Sequence, residues 1–449
     1  MARQGASGVM GAMHVVVIGG GVAGLTAAYE LTRAGARVTL FESAGRLGGL
    51  ASSFTAEEGL ELERYYHFIC RPDRPYFEAL RQLGMGDRLR WVTTEMGLFH
   101  KGRLHTLGDP ISLLTFPHLR LSDKVRFAWA TLRAKLGPGD GRALANVAAQ
   151  PWLVAGYGQR TYDMLFEPLL RLKFREHAGL VSAAWMWARL HRLSRSRTLL
   201  QKERIGYLVG GTQTFVAALE KAVREQGGKI RLRTAVEQVA IEGGRVVGVR
   251  AQGEFEPCDQ VLSTVPIPTV LALLPRLDGP YFENLRSLAY IDVLVLVLRL
   301  RQRFSKYFWL NISDPSVDLA GIIEYTNLNP CPGLGGDAIL YIPQYLPAGH
   351  PLWQLADDEL LALYCRHLAR LRPEFDLRWV RQFWVFRDRY AQPICQVGFP
   401  PHIPAVQTPI ANLYITDSYQ LHPDDRTVAN SIMLGRNAAR SVLRGSAAR

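Results

Sequence analysis

The chain opens on an apolar run, Val15-Val16-Val17-Ile18. An unbroken run of this kind predicts a strand buried on both faces, as in a parallel sheet. It stops at Gly19-Gly20-Gly21-Val22-Ala23-Gly24. Residues 23–31 are rich in Ala and Leu and predict a helix that Gly35 closes. Arg37 to Phe41 predicts the next strand, ending at Glu42. Further along, 230–232 and 291–298 read as strands, and 239–249 as a hairpin turning at Gly243-Gly244. Helical patterns cover 122–136, 215–225 and 428–443. Short buried strands alternating with helices predict an α/β architecture.

Composition narrows this. The chain has 449 residues and is 48% hydrophobic, enough for more than one domain. Cys70, Cys258, Cys331, Cys365 and Cys395 are scattered without a C-x-x-C, which argues against a metal site and a disulfide framework. A cytoplasmic location is expected. No run is long enough to span a bilayer. Residues 1–12, dominated by Gly and Ser from position 5 on, are expected to be a disordered leader. The net charge of +13 suits an acidic small-molecule substrate or an anionic membrane surface. Nucleic acid is not expected, because no binding motif accompanies the charge.

The first fifty residues carry the clearest chemistry. Gly19 permits a tight turn, Gly21 lets a pyrophosphate approach the backbone, and Gly24 lets helix and strand pack closely. With Val22 and Ala23 they start a helix whose free N–H groups attract phosphate. Glu42 can accept from both ribose hydroxyls and would repel a 2′-phosphate. The site is therefore built for FAD or NAD rather than NADP.

Glu42-Ser43-Ala44-Gly45-Arg46-Leu47-Gly48-Gly49, running on to Leu50, extends it. Here the chain resembles the flavin amine oxidase superfamily, which includes amine oxidases, phytoene desaturases and protoporphyrinogen oxidases, with the galactopyranose mutases more distant. In these families E-x-x-x-R-x-G-G is an FAD signature. The resemblance implies non-covalent FAD, with Arg46 touching it. Three later segments agree: Tyr207 to Thr212 with Gly210 beside the flavin, Val236 at the adenine, and Ala411 to Asp417 with Asp417 at the pyrophosphate or ribityl chain. Thr416 stands where relatives usually have Gly. A helix from Val428 would point its N-terminus at the flavin.

The resemblance implies a discontinuous Rossmann-like FAD-binding domain over 13–75, 205–266 and 399–445. An α+β substrate domain of the amine oxidase type would take 76–204 and 267–398. No second G-x-G-x-x-G exists, so no separate NAD(P)H domain is expected. Within the substrate part, 122–136 predicts a basic amphipathic helix with Ser122 as cap and Val125, Trp129, Leu132 and Leu136 on one face. Core packing and peripheral contact with the inner membrane face both remain open for it. Residues 160–204 hold ten Lys or Arg against four acids, so Arg171, Lys173 and Arg175 are expected to meet an anionic substrate group.

For chemistry, Arg64 to Ile69 aligns with the flavin-facing G-P-H segment of desaturases and mutases, which places His67 at the ring and Tyr66 near substrate. Tyr65 and Tyr66 replace small residues there. Asp292 heads a strand near where many amine oxidases carry a lysine, which argues against their route. Tyr419 lies in the loop that supplies their aromatic wall. Cys395 lies where monoamine oxidases attach flavin, with different spacing. The expected activity is FAD-dependent oxidation or desaturation of a hydrophobic, anionic-ended substrate such as an isoprenoid or porphyrinogen. A galactopyranose mutase-like non-redox reaction and amine oxidation are the alternatives.

Overall fold

The structure, a computed structural model, describes residues 12–57, 59–137, 141–196 and 204–447. Residues 1–11 of the expected leader, and Arg197 and Lys202 of the basic segment, lie outside them.

The apolar run at the start forms the strand His14–Ile18 at the centre of a five-stranded sheet. The order is Leu413–Ile415, Gln260–Ser263, His14–Ile18, Arg37–Phe41 and Lys229–Arg231, with all pairs parallel. Alternate side chains of a strand point to opposite faces. Val15 and Val17 therefore enter a cluster with Leu25, Phe215 and Ile432, from the helices Val22–Arg33, Thr212–Glu225 and Val428–Ala447. Val16 and Ile18 enter a second cluster with Val239 and Val249. The expected hairpin supplies that layer, enlarged by Glu254–Pro257 to a three-stranded antiparallel sheet.

A second sheet has seven strands, in the order Val380–Pro393, Tyr290–Leu300, Ala338–Leu346, Gly321–Glu324, Trp309–Ile312, Met96–His100 and Arg103–Thr106. Its pairs are antiparallel except Trp309–Ile312 with Met96–His100. The strand Tyr290–Leu300 divides its surroundings by parity. Leu294, Leu296 and Leu298 face a core that includes helix Asp357–Leu371. Val293, Val295 and Val297 face the other way, toward Leu62, Tyr65 and Tyr341.

The basic amphipathic helix is Leu121–Leu136. Ser122 is not its cap: Arg120 precedes the helix, and its N–H donates to the Asp123 carboxylate at 3.1 Å. The helix packs through Phe127 and Ala130 against the cluster around Trp185, with Ala134 buried. The row holding Val125, Trp129 and Leu136 is left more than 60% exposed.

One contact tests the close packing at the start of the fold. A Cβ on Gly24 would lie 1.9 Å from the Gly19 carbonyl oxygen and 2.7 Å from Thr264 Oγ1. Gly24→Ala is expected to lower stability by about 1–3 kcal/mol, as overpacking does, read as a lower urea midpoint at unchanged slope.

Candidate functional site

The nucleotide end is built from backbone. Gly19 turns the chain at φ +104°, and a Cβ on Gly21 would stand in open space. Helix Val22–Arg33 starts there with no side-chain cap. Gly48 N–H donates to Gly20 O at 2.8 Å, so the second glycine loop lies on the first. Gly48 and Gly49 both have positive φ, +113° and +57°, as this reversal requires. The Glu42 carboxylate accepts from Gly20 N–H at 2.7 Å, from Ala44 N–H at 2.8 Å and from Ser43 Oγ at 3.3 Å. Val236 is buried at a bulge in its strand. An open cradle, an uncapped helix start and a carboxylate at the strand end fit the ADP half of FAD. Arg46 pairs with Glu61 at 2.5 Å and donates to Ser53 O at 2.8 Å.

Residues expected at the flavin and at the substrate meet around a cavity of about 180 Å³. Leu50, Tyr66, His67, Lys173 and Val428 all line it, so five expected residues from distant segments converge. Phe68, Val293, Val295 and Trp309 form an apolar wall. The His67 ring is held from behind by Glu63 Oε2, 3.0 Å from Nδ1.

Another part of the lining is cationic. Lys173, Arg189, Asp425 and Arg426 line the cavity with Tyr345. Asp425 Oδ2 lies 3.7 Å from Lys173 Nζ and 3.2 Å from Arg189 Nη1. Lys173 sits over the rings of Trp185 at 4.7 Å and Tyr345 at 5.0 Å. Arg426 donates to Gln392 Oε1 at 3.2 Å and to the Tyr345 hydroxyl at 3.3 Å. Burial alone pushes the Asp425 carboxyl up, but Lys173, Arg189 and Arg426 outweigh it and bring it down to about 2. Burial pushes Lys173 below the usual lysine range despite Asp425. Burial also raises the Tyr345 phenol, yet Arg426 and Lys173 carry it below the ordinary value. Arg192 lines the cavity too, but its charge is answered by both oxygens of Asp73, at 3.0 and 2.8 Å. Lys173 and Arg189 thus share one carboxylate, and the charge of Arg426 also acts on it.

Residues 22–443 match the family described as flavin containing amine oxidoreductase. The chain belongs to that family. It is 22% identical to the chloroplastic/chromoplastic zeta-carotene desaturase of Solanum lycopersicum, over 95% of this chain and 80% of that protein. It is 23% identical to the mitochondrial protoporphyrinogen oxidase of Nicotiana tabacum, over 66% and 67%. Reduced UDP-galactopyranose mutase shares the fold at TM-score 0.71 and 17% identity, covering 96% of each chain. The protein is an FAD-dependent oxidoreductase. When bound, FAD supplies the two-electron acceptor.

Within this family frame, several expected residues lie away from the cavity. Asp292 has the parity of Leu294, so it turns from the cavity and accepts from Tyr390 N–H at 2.9 Å. Burial raises its carboxyl. Tyr419 is fully buried against Phe399 and Tyr290, with its hydroxyl on Ala289 O; it packs behind the site rather than walling it. Asp417 caps the turn Ser418–Leu421 by accepting from Tyr419 N–H at 2.9 Å. Gly210, at φ +85°, precedes Gly211 and the start of helix Thr212–Glu225. Arg171 pairs with Glu167 at 2.9 Å on the surface, because two residues along a helix from Lys173 is about 200° around it. Arg175 is taken by Asp318 and Gln344, each at 3.2 Å. Cys395 is buried, its thiol pushed up to about 12 by burial and then by Asp425 and Asp417.

Sequence reasoning did not single out Glu63, Arg189, Tyr345 or Arg426. Only Arg189 carried a signal, as part of the basic segment, and Arg426 lay two residues before the final helix.

Asp425→Asn leaves buried Lys173 and half-buried Arg189 without their shared counter-ion. It is expected to cost about 3–5 kcal/mol at neutral pH, measured by chemical denaturation. A carboxyl depressed in the folded state stabilises above its unfolded pKa of about 3.9. The difference between variant and native protein should therefore shrink below about pH 4 and vanish as pH falls through the folded value of about 2.

Proposed function

We propose that the protein removes a hydride from a carbon–hydrogen bond of a hydrophobic substrate with an anionic end, of the isoprenoid or porphyrinogen kind. The carrying observation is the mixed lining of the cavity: it combines apolar Phe68, Val293, Val295 and Trp309 with Lys173, Arg189 and Arg426, of which Lys173 and Arg189 pair with Asp425. An apolar skeleton fits the first group and an oxyanion the second. The names of the relatives, a carotene desaturase and a protoporphyrinogen oxidase, support hydrophobic substrates. An ammonium would meet three cations here, which disfavours amine oxidation. The same cations would suit a nucleotide sugar, so a mutase is the second reading. The FAD is assigned to segments 13–75, 205–266 and 399–445, and the substrate to 76–204 and 267–398.

Anaerobic mixing with a polyprenyl or porphyrinogen substrate is expected to bleach the flavin absorbance. Turnover that needs pre-reduced flavin, with no net redox change, would replace this reading by the mutase. Lys173→Met is expected to raise KM roughly tenfold to a hundredfold, the worth of one charged hydrogen bond, and an unchanged KM would remove the anionic end from this part of the lining.

A membrane contact belongs to the same reading. No helix among the described residues is long and apolar enough to cross a membrane. Ile111, Leu114, Leu121, Val125, Trp129 and Leu136 are nonetheless all exposed on one stretch of chain, interleaved with exposed Arg120, Arg126 and Arg133. This mixture suits an anionic lipid surface. Beneath it a second cavity of about 350 Å³, lined by Leu107, Phe127, Leu132 and Leu165, reaches Asn311. Trp309, two residues along the same strand, lines the flavin-side cavity. Co-sedimentation with phosphatidylserine–phosphatidylcholine vesicles is expected for the native protein and not for Trp129→Glu. Equal sedimentation of both would place the contact elsewhere.

A further inference from the structure

Dehydrogenation leaves a proton to be placed, and the cavity holds a group arranged for it. His67 lines the cavity with its side chain 22% exposed, while Glu63 behind it is 4% exposed. Glu63 ends the strand Leu60–Glu63. Its Oε2 accepts from the His67 backbone N–H at 2.9 Å and lies 3.0 Å from His67 Nδ1. Its Oε1 accepts from Thr212 N–H at 2.8 Å and Thr212 Oγ1 at 2.7 Å. Thr212 is the first residue of a 14-residue helix, where a negative charge is favoured. The His67 carbonyl accepts from the Tyr325 hydroxyl at 3.2 Å, and the Glu63 carbonyl from the Tyr341 hydroxyl at 2.6 Å. Residue 63 and residue 67 are thus pinned at backbone and side chain alike.

A carboxylate can only accept, so Nδ1 must carry the hydrogen that points at Glu63. Nε2 is then left with its lone pair for the cavity. We propose that Glu63 is a positioning residue that fixes the tautomer of His67, making Nε2 the acceptor of the proton released in substrate oxidation. The step rests on the dehydrogenation proposed above. Two substrate C–H bonds break and one C=C bond forms. One hydrogen leaves with both electrons, as hydride, to the FAD. The other leaves as a proton to Nε2, and the resulting imidazolium is balanced by Glu63. The logic is that of a buried carboxylate orienting a catalytic imidazole. Because Glu63 also binds Thr212, beside Gly210 and Gly211, the same carboxylate ties His67 to a segment assigned to the cofactor.

The tautomer is readable without substrate. Nitrogen-15 spectra of histidine-labelled, FAD-loaded protein, with the signal assigned through His67→Gln, are expected to show a protonated Nδ1 and an unprotonated Nε2. A protonated Nε2 in the neutral ring overturns the proposal. Glu63→Gln removes the charge behind His67 and sets an amide N–H against a backbone donor, His67 N–H or Thr212 N–H, whichever way the amide turns. It is expected to lower kcat by about 10²- to 10⁴-fold, with KM little changed. An unchanged kcat in that variant also overturns the proposal. Native protein with the expected tautomer that reduces no flavin with any hydrophobic, anionic-ended substrate would instead sink the dehydrogenation reading, which separates the two failures.

Discussion

Backbone-to-backbone contact around helix Val22–Arg33 is the constraint on which the rest depends. On one side Gly24 lies so close to the Gly19 carbonyl that no Cβ fits. On another, a Cβ on Gly435 would lie 2.3 Å from the Ala23 carbonyl. Two glycines, hundreds of positions apart, thus let the first strand-turn, the first helix and the last helix touch through main chain. The last helix is thereby laid along the first, and its starting residue Val428 reaches the cavity.

A second layer of organisation follows from strand parity. In Tyr290–Leu300, one set of side chains builds the core of the seven-stranded sheet, and the other set gives the cavity its apolar wall. The same alternation sends Asp292 away from the site. Elsewhere in the same lining, cations outnumber carboxylates. Lys173 and Arg189 share Asp425, and the charge of Arg426 acts on the same carboxylate. Two of these cations, Lys173 and Arg189, come from the basic segment 160–204.

Glu63 links these parts. Its carboxylate touches His67 in the cavity and Thr212 at the start of a helix on the five-stranded sheet. One buried group therefore sets both the orientation of an imidazole and the position of a loop assigned to the flavin.

The sequence by itself determined the features that act locally along the chain. The turn at Gly19, the helix start at Val22, the strand ending at Glu42 and the doubly buried strand at Val15 to Ile18 need only neighbours within a few residues, and the motif spacing displays them. What only the tertiary structure decided were properties set by direction and by distant partners. Lys173 and Arg171 differ by two positions, and helical geometry sends one into the cavity and the other to Glu167. Tyr419 reads like a wall residue until its hydroxyl is found on Ala289 O. The apolar row of Leu121–Leu136 leaves core packing and surface contact both open until Phe127, Ala130 and Ala134 take the packing contact. Asp425 and Glu63 carry no pattern at all in the chain. Their meaning comes from cations and donors that folding brings from far away, and sequence spacing holds no record of that.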